Sequence, residues 1–169
     1  MTMVEALVAI VLVSTMLVAA LNTLGAARGS ELRLVERERA LVLARALMAE
    51  IMELPYYDAA FDPDSFGLGA GEDTGTRSQY DDVDDYHGWY ASPPQNKDGT
   101  VIPGCTGYYR SVTVEWVNAT NLQTVSASNT GVKRIRVTAG RAGRPVVTLT
   151  GFRSQQWADP VVWGRTVWP

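Results

Sequence analysis

The chain has 169 residues, a formal net charge of −3, one histidine and one cysteine. This length predicts one small globular domain beside any membrane segment, and a single cysteine excludes an intramolecular disulfide. One histidine leaves little material for a histidine-based metal or acid–base site. The sequence also contains no nucleophile motif, phosphate-binding loop or CxxC pair. The chain is therefore not expected to be an enzyme, and Cys105 is interpreted as a small buried residue.

The first element is an apolar segment, residues 1–27, in which Glu5 is the only charged residue. The 22 residues from Ala6 to Ala27 carry no charge, enough for one membrane-spanning helix at about 20 residues per crossing. An ionisable residue there costs roughly 2.5–3.5 kcal/mol on insertion scales, so a partner is expected. A helix start carries unpaired N–H groups and a partial positive charge, to which the amino terminus adds a full one. The Glu5 carboxylate can therefore fold back on its own terminus or reach that of a neighbouring copy.

The first ten residues follow a specific pattern and read Met1-Thr2-Met3-Val4-Glu5-Ala6-Leu7-Val8-Ala9-Ile10. This pattern resembles the mature start of the type IV pilin and type II secretion pseudopilin family. That start reads as an apolar residue, Thr, two aliphatic residues, Glu and then an unbroken apolar helix. The resemblance covers about residues 1–54. It implies that a prepilin peptidase exposes Met1 by removing a short basic leader, and that Met1 is then N-methylated.

The resemblance also implies an assembly role for Met1 and Glu5. The Glu5 carboxylate would meet the Met1 amine of a neighbouring subunit, so that an incoming copy is stabilised at one axial register. Removing one partner of a buried ion pair costs about 3–5 kcal/mol, enough to decide whether an added subunit stays. The apolar half of the helix would form the filament core through Val4, Leu7, Val8, Val11, Leu12, Leu17 and Leu21.

Three positions depart from the family pattern. Met1 stands where Phe is commonest, Ser14 where glycine is common, and Asn22 where many members carry a proline at which the helix kinks or unwinds. Local unwinding of the helix in a filament therefore stays open, with Gly25 and Gly29 as the weak points.

Residues 28–54 continue the helix as an amphipathic half, in which five Arg and five Glu cancel. Pro55 ends it, at a length of about 80 Å at 1.5 Å per residue. One apolar stripe is predicted to pack on a sheet: Leu32, Ala40, Leu43, Leu47, Ile51 and Leu54. A second, roughly opposite stripe indicates a second partner such as a neighbouring helix: Leu34, Leu41, Met48 and Met52.

Residues 55–107 form an acidic connecting region rich in Gly, Pro and Tyr, with ten acids against Arg77 and Lys97. Its aromatic residues are expected to order it by packing on the helix and the sheet. The run Asp81-Asp82-Val83-Asp84-Asp85 offers hard oxygen ligands, which suit Ca²⁺. The spacing fits no EF-hand, however, and an arginine-paired or solvated acidic loop is the favoured alternative. Asp82, Asp84 and Asp85 therefore stay weak calcium candidates, and no metal site is assigned.

Residues 108–169 are predicted to form a C-terminal antiparallel sheet followed by a Trp-rich tail. Alternating apolar residues indicate three strands, at Tyr109 to Val117, Val132 to Thr138 and Pro145 to Phe152. Ile135 and Val137 are expected to face inward, with Arg134 and Arg136 outward. The residues predicted to turn the last hairpin are Gly140 and Gly143.

Eight bases against two acids make this last segment basic, so it should attract the acidic region within a subunit or between subunits. Five bases could bind nucleic acid, but pairing with the acidic loops is the favoured interpretation: Lys133, Arg134, Arg136, Arg141 and Arg144. Trp157, Trp163 and Trp168 suit either packing on the sheet or contacts between subunits. Asn118-Ala119-Thr120 fits a glycosylation sequon, which stays open.

Together these patterns predict an α+β fold: one long N-terminal helix, about residues 1–54, packed on a small antiparallel sheet with a long irregular connecting region. The resemblance adds that this architecture is pilin-like. The expected organisation is a transmembrane or filament-core half (1–27), an amphipathic half (28–54), the connecting region (55–107) and the sheet with its tail (108–169).

The resemblance implies a structural subunit that polymerises with copies of itself into an extracellular type IV pilus-like filament. Before assembly it would wait in the bacterial inner membrane, and its other partners would be the prepilin peptidase and the assembly machinery. Two alternatives stay open. One is a minor pilin or pseudopilin that primes or caps a pilus or a type II secretion filament. The other is a membrane-anchored binding module that does not polymerise.

Overall fold

The computed structural model of the chain describes residues 2–58, 65–69, 72 and 75–157. It contains two compact units, Met1–Arg39 and Ala40–Pro169, each of which is described by itself. The architecture is α+β, as predicted: one long N-terminal helix packed on a five-stranded antiparallel sheet. Trp163 and Trp168 of the predicted Trp-rich tail lie outside the described residues.

The helix α1 spans Met3–Met52, which confirms the predicted helix and the effect of Pro55 on its end. Pro55 has no N–H to continue the ladder. The last turn closes instead with a hydrogen bond from Leu54 N–H to Ile51 O at 3.1 Å. The Arg153 side chain donates to Met52 O at 3.3 Å and so satisfies one of the free carbonyls at this end.

The antiparallel sheet has five strands: β1 Tyr90–Ala91, β2 Tyr108–Asn118, β3 Asn121–Val125, β4 Val132–Arg141 and β5 Arg144–Ser154. Their order is β1-β2-β4-β5, with β3 also paired to β2. The three predicted strands are confirmed as β2, β4 and β5, each slightly longer than predicted. The two additional strands, β1 and β3, were not predicted. Short 3-10 turns lie at Arg77–Gln79, Asp84–Tyr86 and Gln155–Trp157.

The β4–β5 hairpin turns at Ala142 and Gly143, which both have positive φ angles of 49° and 76°. Two consecutive positive φ angles suit the right-handed twist of a two-residue hairpin. Gly143 therefore has its predicted role, but Gly140 has a different one. A Cβ at Gly140 would collide with the Tyr109 ring and with Arg144 O, so this glycine makes room for an aromatic ring on the sheet.

The core lies between the sheet and the part of α1 that follows Arg39. The first predicted stripe supplies it from Ala40 onward, because Ala40, Leu43, Leu47 and Ile51 are buried. Leu32, its first member, is exposed. The inward residues of the sheet complete the core: Tyr108, Val112, Val114, Ile135, Val137 and Ala139.

The second helical stripe does not require a second partner along its whole length. Met48 and Met52 are partly buried against the core, and their sulfur atoms approach Gly151 of β5, where a Cβ would lie 3.1 and 3.4 Å away. The absence of a side chain at Gly151 lets the helix flank reach this strand. Leu34, at the other end of the stripe, is exposed. Cys105 is free and buried, as predicted.

Candidate functional site

The apolar half of α1 leaves its side chains exposed. The predicted filament-core residues are between 53% and 68% exposed: Val4, Leu7, Val8, Val11, Leu12, Leu17 and Leu21. α1 is the one helix in the described part of the chain that is long and apolar enough to cross a membrane. A contiguous apolar surface of this extent indicates burial in lipid or against other helices. The helix is therefore compatible with membrane anchoring.

Glu5 and Thr2 form a reciprocal pair at the start of α1. The Thr2 backbone N–H donates to Glu5 Oε2 at 3.1 Å, and the Glu5 N–H donates to Thr2 Oγ1 at 3.4 Å. This arrangement is a capping box, in which each side chain satisfies a free backbone N–H of the first turn. The sequence analysis missed it, although Thr2-x-x-Glu5 is the signature of such a box.

The Glu5 carboxylate thus folds back on its own helix start, one of the two arrangements expected from the sequence. It is exposed, and no ion pair to it occurs among the residues that the structure describes. Met1, the other predicted assembly residue, lies outside them. The capping box engages Oε2, so the carboxylate retains acceptor sites for a further cationic partner.

The acidic run folds around its own backbone. Asp82 Oδ1 accepts from Asp84 N–H at 2.7 Å and from Asp85 N–H at 3.3 Å, while Asp82 Oδ2 accepts from Asp58 N–H at 2.8 Å. Asp85 Oδ2 accepts from the N–H groups of Asp81 and Asp82 at 2.9 and 3.0 Å. Asp82, Asp84 and Asp85 are buried, so the interpretation of this run as a solvated loop is wrong.

Asp84 contacts the buried amine of Lys133. Lys133 Nζ on β4 donates to Asp84 Oδ1 and to Tyr56 O, and the Lys133 side chain is fully buried. The amine also lies 4.2 Å from the centre of the Tyr56 ring. Asp84 Oδ2 accepts from Gly67 N–H at 3.1 Å. The acidic region and the basic sheet therefore meet inside one subunit, which was one of the two options for their attraction.

Burial sets the proton affinity of this cluster. Desolvation, a hydrogen bond shared with the Asp84 carboxyl and nearby negative charge raise the pKa of Asp82 to about 8. Desolvation also raises the pKa of Asp85 to about 6. The nearby Glu72 raises this pKa further, whereas the hydrogen bonds that Asp85 accepts from backbone N–H groups lower it. Protons are thus held on buried carboxyls at pH values where free aspartate is ionised.

The residues best placed for a metal ion differ from the predicted ones. Ligand oxygens of Glu72, Asp81 and Asp85 lie within 4.8 Å of one another, beside a cavity of about 10 Å³, roughly the space of one water. Of the three weak calcium candidates, only Asp85 belongs to this group. Asp82 and Asp84 direct their oxygens to backbone N–H groups and to Lys133 instead.

A second buried polar cluster joins α1 to the connecting region. Arg77 holds both oxygens of Glu50, with Nε at 2.8 Å and Nη2 at 3.2 Å, and Tyr86 OH donates to the same carboxylate at 2.8 Å. The Arg77 guanidinium lies 4.1 Å from the centre of the Trp89 ring, with Arg110 on that ring at 5.6 Å. Sequence reasoning missed this cluster, because nothing in the spacing pairs Glu50 with Arg77.

Three of the five bases that could bind nucleic acid are engaged within the fold. Lys133 contacts Asp84, while Arg134 and Arg136 share Glu115 at 2.7 and 2.9 Å on the outer face of the sheet. Arg141 and Arg144 are exposed at the hairpin, where Arg141 lies 5.3 Å from the Tyr108 ring centre. The bases therefore do not form one continuous free patch.

Comparison of the chain with protein-family models, with curated proteins and with solved structures gave no match.

Proposed function

We propose that this protein is a pilin-like structural subunit that polymerises through the apolar half of α1 into an extracellular filament. The observation that carries the proposal is an apolar helical segment with exposed side chains and one carboxylate, Glu5, in its first turns. Packing against the same surface of other copies would remove this apolar surface from water or lipid. The axial register of each added subunit would be set by the contact between its charge and that of its neighbour.

The subunit would wait in the bacterial inner membrane before assembly, anchored by the apolar half of α1. Prepilin peptidase and an assembly machinery would be its partners, by resemblance to the type IV pilin family. In the filament, the Glu5 carboxylate would contact the Met1 amine of a neighbouring subunit, either in addition to its contact with Thr2 or in place of it. Because such contacts are heterologous and do not close into a ring, they extend into a helical polymer.

The capping box allows a sharp test of the charge of Glu5. Glu5→Gln keeps a side-chain oxygen for the Thr2 N–H, because glutamine also serves in capping boxes, but it removes the negative charge. Thr2→Ala removes the reciprocal cap and leaves the charge in place. We expect Glu5→Gln to abolish or strongly reduce filaments and Thr2→Ala to preserve them, measured as sedimentable polymer at matched membrane levels of each variant.

Filaments of Glu5→Gln at the wild-type level would contradict the proposal and leave Glu5 with its capping role alone. That result would favour the membrane-anchored binding module. The minor-subunit alternative is separated by abundance, because a priming or capping subunit would be scarce in purified filaments that a major pilin would dominate.

A further inference from the structure

The contact between Lys133 and Asp84 places an amine directly beside a carboxyl group in the protein interior. The exposed fraction is 0% for the Lys133 side chain and 3% for that of Asp84. The rings of Tyr56 and Phe66 lie 4.2 and 5.9 Å from Lys133 Nζ. Two full charges in such surroundings gain little net free energy, because desolvation offsets their attraction.

We propose that Lys133 and Asp84 are joined by an intramolecular isopeptide bond between Lys133 Nζ and Asp84 Cγ. The bond forms when the amine attacks the carboxyl carbon and a C–O bond of Asp84 breaks. The Lys133 ammonium gives up two protons, which leave with one Asp84 oxygen as a water molecule. No oxidant, reductant or cofactor enters this balance. The product is a neutral amide in place of a buried ion pair.

The groups around Asp84 match the needs of this reaction. Gly67 N–H donates to Asp84 Oδ2 at 3.1 Å, where it can stabilise the negative charge that develops on this oxygen during attack. Asp82 lies directly beside Asp84, because Asp82 Oδ1 accepts from the Asp84 backbone N–H at 2.7 Å, and burial raises the pKa of Asp82 so that its carboxyl can hold a proton there. A proton in that position can pass to the departing oxygen, which is the role of a general acid.

Asp82 is itself held in place by the backbone. It accepts from the N–H groups of Asp84 and Asp58 at 2.7 and 2.8 Å. The reacting amine is positioned by Tyr56 O on its other side. Nucleophile, electrophile and proton carrier are therefore fixed before reaction, and this kind of positioning accounts for much of the rate of intramolecular reactions.

The bond would supply a covalent tie that the single cysteine cannot. It would link β4 to the turn Asp84–Tyr86, across 49 positions of the sequence. Cross-links that close loops of this size limit the unfolded chain and raise stability. The inference does not depend on polymerisation, because it concerns the folded sheet unit alone.

Mass spectrometry of the full-length chain, purified in detergent, denatured and digested with trypsin, tests the proposal. Because an amidated Lys133 resists trypsin, the wild type should yield one branched peptide in which residues 78–97 are joined to residues 111–134. This peptide should be one water lighter than its two parts. Recovery of residues 78–97 and 111–133 as separate peptides of full mass from the folded protein would overturn the proposal.

Three variants sharpen the result. Lys133→Arg keeps a positive charge but cannot form this amide, so the branched peptide should disappear. Asp84→Asn should still form the bond, but with loss of ammonia in place of water. Asp82→Asn retains an oxygen for the backbone N–H groups and should slow formation of the bond by about 10²-fold or more.

Asp98→Asn, at an exposed carboxylate outside the cluster, is the control and should leave the branched peptide unchanged. An unchanged yield in Asp82→Asn would remove Asp82 from the mechanism. A branched peptide in Lys133→Arg would overturn the assignment of the linkage.

Discussion

At the scale of single residues, Glu50 joins α1 to the connecting region. Hydrogen bonds from Arg77 and Tyr86, together with the charge of Arg77, outweigh desolvation and lower the pKa of Glu50. Arg77 is 1% exposed, so its charge depends on this carboxylate for compensation. Glu50 thus contacts both Arg77 and Tyr86, which lie 27 and 36 positions away from it in the sequence.

Replacing Glu50 by alanine should therefore destabilise the folded unit strongly. The change leaves the buried Arg77 guanidinium without its carboxylate, a loss of about 3–5 kcal/mol in the free energy of unfolding. Chemical denaturation in detergent measures this value. Glu53→Ala, at an exposed position just beyond the helix, serves as the control and should have little effect. Equal midpoints for the two variants would contradict a stabilising role for the cluster.

The burial of Lys133 was predictable from the alternation of β4, although its partner was not. Lys133 alternates with Ile135 and Val137, so a period of two places all three on the core face of β4. A lysine on a predicted core face is a signal for a buried carboxylate partner. Its identity as Asp84 was not predictable, because it depends on how the connecting region folds over the sheet.

At the scale of elements, the long helix and the three regular strands were predictable from periodicity. β1 and β3 were not, for different reasons. β1 has only two residues, too few for an alternating pattern, and every residue of β3 is exposed, so no apolar alternation marks it. The acidic turn was misinterpreted because burial of charged residues depends on partners distant in sequence.

Replacing a side chain by alanine should have different effects on the two sides of the later half of α1. Leu47 is fully buried on the sheet, and Leu47→Ala should cost about 2–5 kcal/mol through the lost apolar contacts and the cavity left behind. Val42 is 66% exposed, so Val42→Ala should change the free energy of unfolding little. Denaturation midpoints compare the two variants, and a larger loss for Val42→Ala would contradict the packing described for this helix.

At the scale of the whole molecule, the buried carboxyls couple stability to pH. Asp82 and Asp85 have folded-state pKa values of about 8 and 6, both above the ordinary aspartate value of 3.8. The folded protein therefore holds protons that the unfolded chain has released between about pH 4 and pH 8. Since the state with more bound protons is favoured at low pH, the contribution of these groups is lost as pH rises.

We expect the free energy of unfolding to fall as pH rises through this window. Asp85→Asn should flatten the fall between about pH 4 and pH 6, because the variant carries no titrating group at that position. Asp98→Asn is the matched control and should leave the fall intact, because hydrogen bonds from Thr100 lower the pKa of Asp98. A profile that rises over the same range, measured by denaturation at a series of pH values, would contradict the burial of this cluster.

The most direct test of the central claim is a high-resolution structure of the assembled protein, with the contacts of each Glu5 carboxylate measured. We predict a helical polymer in which this carboxylate lies within about 4 Å of the terminal amine of an adjacent copy. A polymer in which each Glu5 contacts only Thr2 of its own chain, or in which the apolar halves of α1 do not touch, would contradict the account.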